Sequence, residues 1–221
     1  MEIIPAVLTH TKDEFISQLT ALSPYYNRFQ IDIADGRFVP NTTLELADIN
    51  QVFPQETSNI QLDFHLMVQD YNTQISQIKE LLSKININTV FIHATATTPE
   101  VFQQLLTDIN DFNVGLVLNP EDSVNEIARS YPLRIIKAIQ VMTIHPGFQE
   151  QSFIPETLKK IQELREHGYT NSIYIDGGIN EQSLPIITSS KYEPDFLCIG
   201  SYLTHHLDLL KERIDNLKDL S

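Results

Sequence analysis

Cysteine is nearly missing from this chain. Cys198 stands alone, so no internal disulfide can form, and its setting in Phe196–Leu197–Cys198–Ile199 reads as inert apolar packing. Basic residues are scarce: 15 Lys and Arg face 29 Asp and Glu, a formal net charge of −14. That balance argues against nonspecific binding to nucleic acid or to an anionic membrane surface. It also repels an anionic ligand at long range, so any phosphate has to be held locally by backbone N–H groups at helix starts. Long apolar runs are lacking as well, and no stretch approaches the ~18 residues of a membrane span. Met1–Glu2–Ile3–Ile4–Pro5 shows neither the basic flank nor the apolar core of a signal peptide, which leaves a cytoplasmic location as the default expectation. With only seven Gly and 11 Pro, and 42% hydrophobic residues, the 221 residues suit one sizeable core and one domain, residues 1–221.

Short β-branched or apolar runs alternate with longer amphipathic ones along the whole chain. Strands are predicted at Ile3–Leu8, Phe29–Ala34, Ile60–Leu66, Thr89–His93, Asn113–Leu118, Ala138–Ile144, Ser172–Asp176 and Phe196–Gly200. Helix starts are marked by the Thr11/Glu14 capping box, by Thr98–Pro99 and by Asn119–Pro120. Leu203, Leu207, Leu210, Ile214 and Leu217 are spaced as one final helix. Strand–helix units without a linker point to a closed (β/α)₈ TIM barrel. An open doubly wound sheet is the alternative, but its G-x-G-x-x-G fingerprint is absent, since Thr9–His10–Thr11 follows the first strand.

In a barrel, chemistry sits where the strands end. Alternation puts Gln30, Asp32 and Ala34 on one face of the second strand and its large apolar residues on the other, toward the helices. Asp32 therefore turns inward, where an unpartnered carboxylate is costly. His65, sharing a face with Asp63, and Asp176, sharing one with Tyr174, repeat the pattern in the third and seventh strands. Two carboxylates on opposite walls suit a base–acid pair, and Asp with His suits a divalent metal. Gly177–Gly178, before a helix capped by Asn180, and Gly200–Ser201, before the last helix, are candidate phosphate loops. The loop after Ile144, up to Pro155, is a candidate lid. His93 and His145 are read as strand-end and loop histidines without a role, and His10, His167, His205 and His206 as surface residues.

Several blocks resemble ribulose-phosphate 3-epimerases: Ile4–Leu8, Asp32–Asn41 (Asp-Ile-Ala-Asp-Gly-Arg-Phe-Val-Pro-Asn), Leu62–Val68, Val141–Phe148, Ile175–Asn180 and Ile199–Ser201. They run in order from the first strand to the last. The resemblance implies a TIM barrel of the ribulose-phosphate binding type acting on a small phosphorylated sugar, with a homo-oligomer left open. It implies Asp32 and Asp176 as the proton-transferring residues, with Asp32, His65 and Asp176 as ligands of a divalent metal, commonly zinc. Met67, Met142 and Gly147 correspond to the substrate pocket, and Gly177, Gly178, Gly200 and Ser201 to the phosphate site.

Departures from that pattern accompany the match. Gln30 stands where the family has a metal-ligating histidine, and a neutral amide is a poor zinc ligand beside imidazole. Ala6 replaces a substrate-contacting serine, Ala34 a methionine, and Gln149–Glu150 two glycines of the sixth-strand loop. The leading expectation is an epimerase inverting the carbon next to the ketone of ribulose 5-phosphate or a hexulose 6-phosphate, with a three-ligand metal site or none. The alternative is a non-catalytic sugar-phosphate-binding paralogue. Aldol cleavage is a third reading, weakened because no strand-end Lys stands where a Schiff base would need one.

Overall fold

The computed structural model describes residues 1–53, 59–147 and 151–220. Eight parallel strands close into a barrel in chain order: β1 (Glu2–Val7), β2 (Arg28–Ala34), β3 (Gln61–Met67), β4 (Asn86–His93), β5 (Asn113–Leu118), β6 (Ala138–Met142), β7 (Ser172–Asp176) and β8 (Phe196–Ile199). The surrounding helices are α1 (Lys12–Leu22), α2 (Leu46–Val52), α3 (Tyr71–Leu81), α4 (Pro99–Asp108), α5 (Val124–Ser130), α6 (Lys159–Glu166), α7 (Leu184–Thr188), α8 (Ser201–Thr204) and α9 (Leu210–Leu220). The closed barrel settles the choice against the open sheet. Among the described residues, no helix is long and apolar enough to cross a membrane.

The capping box forms as expected. Thr11 accepts from the Glu14 backbone N–H, and the Glu14 carboxylate takes up the Thr11 N–H. Thr11→Ala should cost about 1 kcal/mol, read as a lower denaturant midpoint at unchanged slope. Thr98 and Pro99 likewise open α4. Asn119–Pro120 does not open α5. That helix starts at Val124 under a Ser123 cap, while Asn119 is held in a turn whose N–H meets Asp122 at 2.7 Å. Asn180 accepts from the N–H groups of Gln182 and Ser183, stabilising a turn before α7 rather than the helix start itself.

The last amphipathic run is not one helix. His206 takes a left-handed φ of 60° and separates α8 from α9, with a 3-10 turn at Leu207–Leu209 between them. Arg213 closes the break by donating to the carbonyls of Tyr202 (2.7 Å) and His205 (2.6 Å). Leu203, Leu210, Ile214 and Leu217 are buried, but Leu207 is only half so. A spacing of four and three residues survives the break because both segments bury their apolar sides in the same hydrophobic cluster.

Two apolar layers follow from strand alternation. Phe29, Ile31, Ile33, Leu62, Phe64 and Leu66 join the large cluster between strands and helices. Ile4, Phe91, Val117, Met142, Tyr174 and Cys198 fill the barrel interior. Cys198 is 1% exposed and burial pushes its thiol well up, which fits inert packing. At the N-terminal end, Arg28 plugs the barrel. Its Nε and Nη2 meet Asp63 Oδ2 at 2.9 and 2.8 Å, and Nη2 donates to the Tyr174 hydroxyl at 2.5 Å. A register shift against Leu62 and Asp63 leaves Asn88 unpaired in β4, and its amide turns in to Asp63 Oδ1 at 2.8 Å.

Candidate active site

The C-terminal ends of the strands carry the polar counterpart of that plug. Register sets Asp32 beside His65 and Met142 beside Asp176. His65 Nδ1 lies 3.2 Å from Asp32 Oδ1 and 3.4 Å from Asp176 Oδ2. Gln30 Nε2 spans the same two oxygens, at 3.0 and 2.7 Å. Gln140, on β6, gives Asp176 Oδ2 a second amide donor at 2.9 Å. One oxygen of each carboxylate is thus tied into a buried polar layer. Asp32 Oδ2 and Asp176 Oδ1 are not bonded to any described residue, nor are they among the sealed, unpartnered polar atoms, so they face the pocket.

Burial raises Asp32 above the usual carboxylate range, and the Asp176 charge adds to this against the bonds from His65 and Gln30. Burial alone would lower His65, but Asp176 and Asp32 outweigh it and hold the imidazole up at about 9. His93 is pushed well down, first by burial and then by the neighbouring His65. A hydrogen-bond chain fixes the His93 tautomer and the orientation of both rings. Asn119 Oδ1 can only accept, so His93 Nδ1, 2.9 Å away, carries hydrogen. His93 Nε2 then accepts from His65 Nε2 at 2.8 Å, which leaves His65 Nδ1 turned to the carboxylates.

These groups floor a pocket at the C-terminal mouth of the barrel. Asp32, His65, Met67, Met142, Gly147, Asp176, Gly177, Gly178, Gly200 and Ser201 all line it, as does Ala6. Every candidate residue of the sequence analysis except Gln30 reaches this lining, and Gln30 sits beneath it with 0% exposure. The glycines are there for space. A Cβ on Gly177 (φ 116°) would come within 2.3 Å of Ile144 Cγ1, and one on Gly178 (φ 67°) within 2.9 Å of the Phe153 backbone. Asp35 organises the β2 loop by accepting from the N–H groups of Arg37, Phe38 and Gln69, and Asn41 donates to the Gly147 carbonyl at 2.7 Å. His145 is exposed and paired with Glu121 at 2.7 Å, a loop residue as expected. Phe148, Gln149 and Glu150 lie outside the described residues.

Sequence reasoning passed over Gln140, Asn119 and His93. Gln140 sits at an inward position of β6 between Ala138 and Met142, so the alternation that exposed Asp32 marks it too. His93, read as a strand-end residue without a role, is instead buried against His65, with the Phe38 ring 4.8 Å away.

Asp32, His65 and Asp176 can offer ligand atoms within 4.8 Å of one another. A tetrahedral cation bound at 2.0–2.1 Å needs donor–donor edges of about 3.3 Å. The edges from His65 Nδ1 to Asp32 Oδ1 and Asp176 Oδ2 are 3.2 and 3.4 Å, so these three side chains fit a divalent cation in size and chemistry.

Residues 2–204 match the model of the "Ribulose-phosphate 3 epimerase family". The chain is 29% identical over 199 residues to a ribulose-phosphate 3-epimerase of Methanocaldococcus jannaschii, covering 86% of this chain and 78% of that one. It is 31% identical over 163 residues to the Bacillus subtilis enzyme of the same name, covering 71% of each. In structure it is similar to the 3-hexulose-6-phosphate synthase of Salmonella typhimurium, with a TM-score of 0.70 over 100% of this chain and 98% of that one. At 14% identity, this speaks for the fold alone. A match that begins in β1 and runs through α8 takes in every strand that feeds the pocket, and the chain belongs to the ribulose-phosphate 3-epimerase family.

Proposed function

We propose that the protein inverts the carbon next to the ketone of a small ketose phosphate, ribulose 5-phosphate or a hexulose 6-phosphate. In this reading Asp32 and Asp176 exchange protons with opposite faces of that carbon, through an enediolate. The observation that carries it is the paired free oxygens. Asp32 Oδ2 and Asp176 Oδ1 point into one pocket, while Oδ1 and Oδ2 respectively are bonded beneath it. Tying one oxygen restrains each carboxylate so that the other meets substrate in one orientation. Asp32, raised by burial, is suited to hold a proton between the two half-reactions. Met67, Met142 and Gly147 would border the sugar. Gly177, Gly178, Gly200 and Ser201 would bring backbone close to the phosphate without relying on a basic surface, which this chain lacks. A divalent cation such as zinc on Asp32, His65 and Asp176 would supply positive charge where the substrate oxygens become negative.

The reading is tested by incubating each sugar phosphate with the protein in deuterium oxide and following the carbon next to the ketone. Wash-in with inversion is expected for one of them. No exchange for any, with or without zinc, would sink the proposal. The bond from Gln30 to Asp32 also fits a binder that has lost a metal ligand. Calorimetry showing sugar-phosphate binding without turnover would favour that second reading.

A further inference from the structure

Gln30 carries an unexplained feature. Its Nε2 bridges Asp32 and Asp176, yet its Oε1, like that of Gln140, is sealed from solvent and has no hydrogen-bond partner among the described residues. A buried amide carbonyl normally has a donor, and that donor is what fixes which way the amide faces. Here no such donor fixes it, and only the two bonds from Nε2 to the carboxylates do. The contents of the space between the carboxylates therefore decide the orientation. With no cation there, an amide oxygen against two carboxylates is repelled, so the NH₂ side faces in. With a dication there, the NH₂ side is repelled and the oxygen is attracted. Either way one end of the amide is left without a partner, so the turn itself costs no protein hydrogen bond at the outer end.

We propose that Gln30 is a reversible amide: it donates to Asp32 and Asp176 in the metal-free protein and turns about to ligate a divalent cation through Oε1 when one binds. Gln140 is the positioning residue that makes the turn tolerable. Its donor stays on Asp176 Oδ2 at 2.9 Å when Gln30 lets go, and the β6–β7 pairing of Met142 with Asp176 keeps the two elements in register. The His65–His93–Asn119 chain holds the third vertex still, with Nδ1 turned inward. Gln30 then supplies the fourth vertex of the cage from the place its amide already occupies between the two carboxylates. The inference deepens the epimerase reading of the same pocket, but its test reads cation binding and so succeeds or fails apart from turnover.

The experiment titrates Zn²⁺ into metal-stripped full-length protein by calorimetry, comparing wild type with Gln30→Leu, which neither donates nor ligates. If Gln30 ligates, the variant binds about 10- to 100-fold more weakly, the range already seen when a ligand merely loses its hydrogen-bond partner. If Gln30 only competes with the cation, removing it leaves affinity equal or raises it, and the proposal fails. It fails equally if the wild type takes up no Zn²⁺. Should Gln30→Leu not fold, side-chain amide NMR of the wild type decides. The Gln30 NH₂ signals are expected to shift strongly on Zn²⁺ addition. An unmoved Gln30 signal at saturating Zn²⁺ overturns it.

Discussion

Asp176→Asn is expected to lower the rate of epimerisation by about 10²- to 10⁴-fold, the range a positioned proton donor or acceptor contributes. The substitution keeps the side chain's shape, and its carbonyl still accepts from Gln30 and Gln140, which approach Asp176 Oδ2 at 2.7 and 2.9 Å. What it removes is the ability of the pocket-facing atom to take or give a proton. Asp32 remains, so the variant should still exchange solvent deuterium into one epimer while inversion is lost, and Asp32→Asn should do the same for the other epimer. Mass spectrometry of both epimers after incubation in deuterium oxide reads this directly. If both variants lose exchange with the same epimer, the carboxylates do not divide the faces between them, and the two-carboxylate mechanism falls.

Arg28→Met should destabilise the barrel by about 1–2 kcal/mol at neutral pH, since a buried Asp63 left without its cation takes up a proton instead of staying charged. Asp63 is 0% exposed, and Arg28 and Asn88 are what answer its two oxygens. Burial pushes Asp63 up to about 6 even with Arg28 and Asn88 acting against it. A carboxyl raised in the folded state holds its proton more tightly there than in the unfolded chain, whose value is about 3.9. Its contribution to stability is therefore fully present below about pH 4 and is lost as pH rises through about 6. Without Arg28 the folded value climbs further, so the deficit of the variant should be small near pH 4 and largest above pH 7. Denaturant melts across that span measure it, and adding Asp63→Asn should recover much of the loss at neutral pH. A pH-independent deficit would mean that Arg28 acts by packing over Phe196, 4.7 Å away, and Tyr174 rather than by charge.

Much of the site was legible because a strand has a period of two. Once Phe29, Ile31 and Ile33 are assigned to the helix side, Asp32 has nowhere to go but inward, and the same logic carries His65 and Asp176. The rule applies equally to Gln140, but a lone amide in an apolar strand gives no hint of a partner. Its partner, Asp176 Oδ2, is 36 residues away and is brought near only by β6–β7 pairing. His93 and Asn119 are similar: each stands at a strand end, and only the β3–β4–β5 neighbourhood turns them into a chain that orients the His65 ring. The final helix failed for the opposite reason, since spacing reports which residues face the core and is blind to a left-handed residue such as His206 between them.

By itself, the sequence determined the alternation of strands and helices, the capped starts of α1 and α4, and which carboxylates, histidine and glycines stand at the strand ends. These depend on neighbours a few residues apart. Tertiary structure alone decided how those ends meet: which oxygen of each Asp is tied and which is free, that Gln30 and Gln140 share Asp176, and that the Gln30 carbonyl is left without a donor. Such contacts join residues up to 146 positions apart, as Gln30 to Asp176, and they exist only once the barrel has closed.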